Sequence, residues 1–158
     1  MLNPPLKWVG SKRRLVNIIL PLIPDHQNYY EPFLGSGAIF FAYIQTQTNK
    51  NKAYYLSDVN ADLMNLWQNI QNNLTGLLTE LKTFKYGNTR EEYHHFRKLF
   101  NEHHIHDTYK AALFLFLSST VMVMNLSSVT LTLVDFFSFL PILYIALSGF
   151  LAKVFASL

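Results

Sequence analysis

Hydrophobic and polar positions change period several times along the chain, and each change marks an element. From Lys12 to Ile23 the apolar Leu15, Ile18, Ile19 and Leu22 fall at helical spacing, which predicts a helix with these residues on one face, stopped near Pro21 to Pro24. A short aromatic run from Tyr29 to Phe33 reads as a strand, Gly35-Ser36-Gly37 follows it, and AIFFAYI has the composition of a helix start. After a polar, Asn- and Lys-rich loop at Gln45 to Lys52, Ala53 to Leu56 reads as a second strand ending at Asp58. The spacing of the two strands suits one βαβ crossover, and hence a parallel pair.

From Ala61 to about Ser119 the period is helical, with no strand between the helices. Leu63, Leu66, Trp67 and Ile70 form one apolar face; Leu74, Leu77, Leu78 and Leu81 a second; Tyr93, Phe96, Leu99 and Phe100 a third; Ala111 to Leu117 a fourth run. Three or four helices result, with Gly76 and Gly87-Asn88 as weak points or turns. Beyond Ser119 the chain changes character: only Asp135 and Lys153 are charged, and the rest is apolar and β-branched with little amphipathic period. Such a tail is either membrane-directed or foreign to the fold before it.

At 158 residues, half of them hydrophobic and 15% charged, the chain can bury the core of one ordinary domain, which rules out a wholly disordered protein. The absence of cysteine excludes disulfide scaffolds, thiolate metal sites and cysteine nucleophiles. A net charge of +3 permits nucleic-acid binding without arguing for it. Pro4 and Pro5 stand where a secretory signal needs its apolar core, so a cytoplasmic protein is expected, and the Asn73-Leu74-Thr75 and Asn125-Leu126-Ser127 patterns read as chance matches. His94, His95, His103, His104 and His106 do not place three ligands on one helical face, so no metal is expected.

Three segments could carry chemistry. Glu31-Pro32-Phe33-Leu34-Gly35-Ser36-Gly37 sits at the carboxyl end of the first strand, where an α/β sheet binds its ligand, and its glycines let backbone approach a ligand closely. The third glycine of the dinucleotide fingerprint is replaced by Phe40, which favours a nucleoside over a pyrophosphate; a plain strand–helix turn is the alternative. Asp58, about 20 residues further at the end of the next strand, is placed to bond ribose hydroxyls, or else to cap the following helix, a role Asn60 could also fill. In Lys7-Trp8-Val9-Gly10-Ser11-Lys12-Arg13, Lys12 could meet a carboxylate and Trp8 an aromatic ring or sulfonium; the plain reading is a basic turn with a half-buried Trp. Tyr29, Tyr30, Tyr54 and Tyr55 read as core or crevice wall.

Together, KWVGSKRRL, YEPFLGSGAIFFA and LSDVNADLMNLWQNI, in this order and spacing, closely resemble the Dam-like adenine-specific DNA methyltransferases, over about Leu6 to Leu117. The resemblance implies an α/β fold: the N-terminal part of a Rossmann-like, S-adenosylmethionine-dependent methyltransferase sheet, followed by a helical target-recognition segment and an apolar tail foreign to the family. It divides the chain into a cofactor-binding region at 1–68, the start of target recognition at 69–117 and the tail at 118–158. It implies transfer of a methyl group from S-adenosylmethionine to N6 of adenine in duplex DNA, as in DNA methylation and restriction-modification. Cofactor binding would fall on Trp8, Lys12, Glu31, Pro32, Phe33, Gly35, Gly37 and Asp58, and Arg90, Arg97, Lys98 and Lys110 would be phosphate contacts, with a solvated helix face as the alternative.

The family's catalytic motif, Asp or Asn, Pro, Pro and an aromatic residue, has one partial counterpart, Asn3-Pro4-Pro5-Leu6. It lacks the aromatic ring and precedes the cofactor motif, so no catalytic residue is assigned, and the chain is expected to be inactive by itself. With serine codons of the TCN type at 118 and 119, a shifted reading of SSTVMVM permits Leu, Asn, Arg, His, Gly and Tyr, the family's continuation; the tail then reads as the product of a shifted frame. A membrane anchor at Phe136 to Ala152 is the competing account, and a separately encoded catalytic half a further one. The alternative function is a remnant or membrane-tethered protein that binds only cofactor or DNA.

Overall fold

The computed structural model describes residues 6, 8–47, 52–84 and 89–124. Asn3-Pro4-Pro5, Lys7, Gly87-Asn88 and the tail beyond 124, with Asn125 and the 136–152 stretch, lie outside the described residues. Among the described residues no helix is long and apolar enough to cross a membrane. The fold is mixed α/β and divides between Val59 and Asn60 into two units.

In the first unit, strands β1 (Asn28–Glu31) and β2 (Ala53–Leu56) pair in parallel, Asn28 opposite Ala53 and Glu31 opposite Leu56. The crossover between them carries helix α2 (Ala38–Ile44), as the spacing predicts. Along β1 the side chains alternate: Tyr29 and Glu31 are buried, while Tyr30 is 65% exposed and stacks on Tyr55 at 4.7 Å. Helix α2 is buried from Ala38 to Tyr43, so AIFFAYI is apolar all round because no side of it faces water.

The predicted N-terminal helix is a single α-turn, α1 (Val16–Ile19), between 3₁₀ turns at Lys12–Leu15 and Leu20–Leu22. Its expected apolar face is corrected by the structure. Val16 is the buried residue, packed on Ala38, Ile39 and Ala42 with Ile19, Leu20 and Ile23 around it, whereas Leu15, Ile18 and Leu22 are exposed. Tight turns at both ends advance each residue by more than an α-helix does, and this rotates the buried stripe away from the α-period.

The second unit holds α3 (Ala61–Asn72), α4 (Leu74–Thr83), α5 (Arg90–Glu102) and α6 (Thr108–Met124). The division between the units falls just before α3, which therefore lies whole in the second unit. Asn60 caps α3 by accepting the Leu63 N–H at 3.0 Å. Asn73 separates α3 from α4 and takes the Gly76 N–H, so Gly76 lies inside the first turn of α4 instead of marking a break. Thr89 and Glu92 form a capping box at the start of α5. Helix α6 is the hub, packed by α3, α4 and α5 around Ala111, Ala112 and Leu113, and its backbone runs through Ser118 without a break.

Candidate functional site

The first unit has a cavity of about 180 Å³ at the carboxyl ends of its two strands, lined by Trp8, Ser11, Lys12, Phe33, Gly35 and Asp58 together with neighbouring loop residues. The backbone builds it in three steps. Ser57 N–H donates to Glu31 carbonyl at 3.0 Å and Leu34 N–H to Ser57 carbonyl at 3.0 Å, extending the β1–β2 contact past both strand ends. Gly37 N–H then donates to the Leu34 carbonyl at 2.8 Å, which closes the turn into α2. Gly35 and Gly37 take φ of +53° and +71°, the left-handed region that glycine enters without strain.

The glycines also answer to their neighbours. A Cβ on Gly35 would stand 3.4 Å from the Trp8 ring, and one on Gly37 would stand 2.6 Å from the Phe41 ring. Gly35 N–H donates to Oδ2 of Asp58 at 2.9 Å. Because Asn60 caps α3, Asp58 is left to clamp the glycine loop. Ser11 and Ser36 join their hydroxyls at 2.8 Å and tie the Trp8–Lys12 segment to the same loop.

Lys12 stands at the mouth. Its ammonium donates to the Phe33 carbonyl and lies 3.8 Å from Oε1 of Glu31. Lys12 and Phe33 also line a second, mostly apolar groove of about 490 Å³, and Glu31 and Pro32 belong to that groove and not to the cavity. Burial raises the Glu31 carboxyl above the usual carboxylate range; hydrogen bonding from Tyr29, the Lys12 charge and the Phe40 backbone N–H partly oppose the rise. Of the eight expected cofactor residues the structure therefore gathers Trp8, Lys12, Phe33, Gly35 and Asp58 around the cavity, puts Glu31 and Pro32 beside it, and uses Gly37 for the turn. Ser11 and Ser36 are additions; both stand inside the motifs, but a serine in a glycine loop carries no distinctive signal.

The four expected phosphate contacts belong to the second unit and do not form one patch. Arg90 and Arg97 are exposed on α5 in a row with His94 and Asn101, at spacings of four, three and four residues, and that row holds no acid. Lys98 lies in the adjacent row and pairs with Glu102 at 3.8 Å. Lys110 is buried on α6, where its ammonium donates to the His103 carbonyl at 2.6 Å. Among the described residues no three His or carboxylate side chains are grouped to hold a metal; His103 instead bonds Asp107 at 2.9 Å and His106 approaches Asp62 at 3.2 Å.

The sequence model of the D12 class N6 adenine-specific DNA methyltransferases matches residues 8–128, and so runs past Ser118, where the resemblance was expected to end. The DNA N-6-adenine-methyltransferase of Escherichia phage P1 is 36% identical over 114 residues, 71% of this chain and 14% of that protein. The DNA adenine methylase of Haemophilus influenzae is 36% identical over 104 residues, 63% of this chain and 34% of that protein. The chain thus spans about a third or less of the length of these two relatives. With most of its residues covered by the family model, the chain belongs to the D12 class N6 adenine-specific DNA methyltransferase family.

Proposed function

We propose that the chain binds S-adenosylmethionine in the cavity of its first unit and carries the cofactor-holding part, with the start of the DNA-recognition part, of a methyltransferase acting on N6 of adenine in duplex DNA. One observation carries the reading: the three motif segments, far apart in sequence, bring Trp8, Lys12, Gly35 and Asp58 to a single cavity. The donor set suits the ligand. An aromatic face at Trp8, a cation at Lys12, a glycine loop whose Gly35 backbone takes a left-handed φ of +53° beside the Trp8 ring, and a carboxylate at Asp58 match an aromatic base, a carboxylate, close backbone approach and ribose hydroxyls. The cavity alone falls below the ~300 Å³ usual for small-molecule sites, and the groove shared through Lys12 and Phe33 supplies further room.

When bound, S-adenosylmethionine supplies an electrophilic methyl group on a sulfonium. The chain's own residues bind and orient: Asp58 holds the Gly35 N–H so that the loop keeps its shape, and Lys12, fixed by the Phe33 carbonyl and Glu31, presents its charge at the mouth. Arg90 and Arg97, on the acid-free row of α5, are the proposed phosphate contacts, Lys98 is a weaker one, and Lys110 has a structural role. The sequence contains no Asp- or Asn-Pro-Pro-aromatic tetrapeptide, so these 158 residues by themselves bind cofactor without transferring methyl.

The test is equilibrium dialysis of labelled S-adenosylmethionine against the full chain, with a parallel assay for labelled methyl in duplex DNA. Saturable binding without transfer is expected. No binding would overturn the cofactor reading, and transfer above a no-protein control would overturn the inactivity.

A further inference from the structure

The sequence reads Tyr29 as core or crevice wall, and in the structure its hydroxyl has a specific partner. On β1, two positions before Glu31 and on the same face, it donates to Oε2 of Glu31 at 2.8 Å, both groups being buried. The other carboxylate oxygen, Oε1, lies 3.8 Å from the Lys12 ammonium. The Tyr29 ring is held in place by a column: it stacks on Tyr43 at 4.7 Å, and Tyr43 stacks on His26 at 5.3 Å. The column is itself pinned, since the Tyr43 hydroxyl bonds Nε2 of His26 at 3.0 Å and receives a hydrogen bond from the buried Lys52 ammonium at 3.1 Å. Phe40 and Tyr54 close on the ring from the sides.

We infer that Tyr29 is a positioning residue for the cofactor site: its hydroxyl fixes the Glu31 carboxylate so that Oε1 faces Lys12, and Lys12 is thereby held at the mouth of the cavity. This rests on the cofactor reading above for its ligand, but not for its geometry. The groups facing Glu31 are the Tyr29 hydroxyl on its own strand, the Lys12 ammonium from the 3₁₀ turn and the Phe40 N–H from α2. All three favour the ionised carboxylate against the burial that disfavours it. Deleting the Tyr29 hydroxyl removes one of them, so Glu31 then takes up its proton at a higher pH. A neutral Glu31 gives Lys12 no counter-charge, and cofactor binding falls with it. Tyr29 itself is pushed far above the usual tyrosine range, by burial first and by the neighbouring carboxylate second, so it remains a donor at every working pH.

The test uses the full chain and Tyr29→Phe, which keeps the stacked ring and loses only the hydroxyl. Carboxyl ¹³C NMR of Glu31 across about pH 3 to 9 reads the contact without cofactor, and should show the variant titrating at higher pH than the wild type. In dialysis the variant should bind S-adenosylmethionine about tenfold more weakly at neutral pH and lose binding on acidification sooner. In a Glu31→Gln background the same change should have little further effect, whereas a merely structural Tyr29 would weaken both backgrounds alike. An unchanged Glu31 titration overturns the inference whatever the cofactor does. Failure of the wild type to bind cofactor, with the titration shifted as expected, overturns the cofactor reading and leaves the Tyr29–Glu31 relation standing.

Discussion

The Gly35 N–H and the Asp58 carboxylate meet at 2.9 Å across 23 positions of sequence, joining the loop after β1 to the end of β2. One acid thereby does two things: it holds the glycine loop in shape, and it brings negative charge to the cavity wall. The two can be separated. Asp58→Asn keeps an oxygen that accepts the Gly35 N–H but loses the charge, while Asp58→Ala loses both. Both variants should bind S-adenosylmethionine more weakly, and only the alanine should lower stability to urea, by about 1–2 kcal/mol for a part-buried N–H left without its acceptor. Equal stability of the two variants would show that the clamp contributes nothing.

The glycines of the motifs are not equivalent. Gly10 and Gly37 both have positive φ, +75° and +71°, but a Cβ on Gly10 would meet nothing within 4 Å, while one on Gly37 would stand 2.6 Å from the Phe41 ring. Gly10→Ala should therefore cost only the left-handed strain, about 1–2 kcal/mol. Gly37→Ala adds overpacking against a buried helix and should cost about 2–4 kcal/mol in all. Urea denaturation of the two variants checks the order, and equal losses would count against the packing argument.

Much of this was legible in the sequence because local rules and tertiary demands agree. The βαβ unit and the extent of β2 follow from period and turn residues, the three or four helices read for the second unit prove to be four, and Leu63, Leu66, Ile70, Leu77, Leu78 and Leu81 are buried as their spacing predicts. At Leu15, Ile18 and Leu22 the structure departs from the helical period, because a sequence with apolar residues on several sides does not say where 3₁₀ turns will replace α-turns. Asp58 was ambiguous between cap and ligand, since two cap-forming residues stand two apart and only the fold shows that Asn60 takes the cap. Lys110 could not be told from a surface cation, because its acceptor is the His103 carbonyl, and a backbone oxygen leaves no mark in sequence.

The cations of α5 separate by their surroundings. Arg97 shares its row with Arg90, His94 and Asn101, whereas Lys98 already has Glu102 as an ion-pair partner. If the row faces DNA, Arg97→Gln should lower the slope of log affinity against log salt by about 0.9, as expected for one lost phosphate contact. Lys98→Gln should lower it by less, because the lysine charge is already partly offset. Binding to a duplex oligonucleotide at four salt concentrations measures both. A Lys98→Gln effect as large as that of Arg97→Gln would place the DNA on the other row.

Lys110 should behave as part of the fold and not of the DNA surface. Its side chain is 10% exposed, its ammonium lies 4.8 Å from the Phe100 ring centre, and it stands 3.5 Å from Oδ1 of Asp62, a buried oxygen with no hydrogen-bond partner among the described residues. His106, at 3.2 Å, is the other cationic candidate near that oxygen, and it carries charge only when protonated. Lys110→Met keeps the apolar stem and removes the ammonium, leaving the Asp62 carboxylate without its permanent counter-charge and the His103 carbonyl without its donor; a loss of about 3 kcal/mol is expected. Adding Asp62→Asn should recover part of that loss, because a neutral amide does not need the cation, although the acid at the start of α3 also gives up about 0.5 kcal/mol of helix-dipole stabilisation. Urea denaturation of the two single variants and the double variant measures this coupling, and the salt slope for DNA should stay unchanged in the folded Lys110→Met protein. Unaltered stability with a reduced salt slope would return Lys110 to the phosphate contacts.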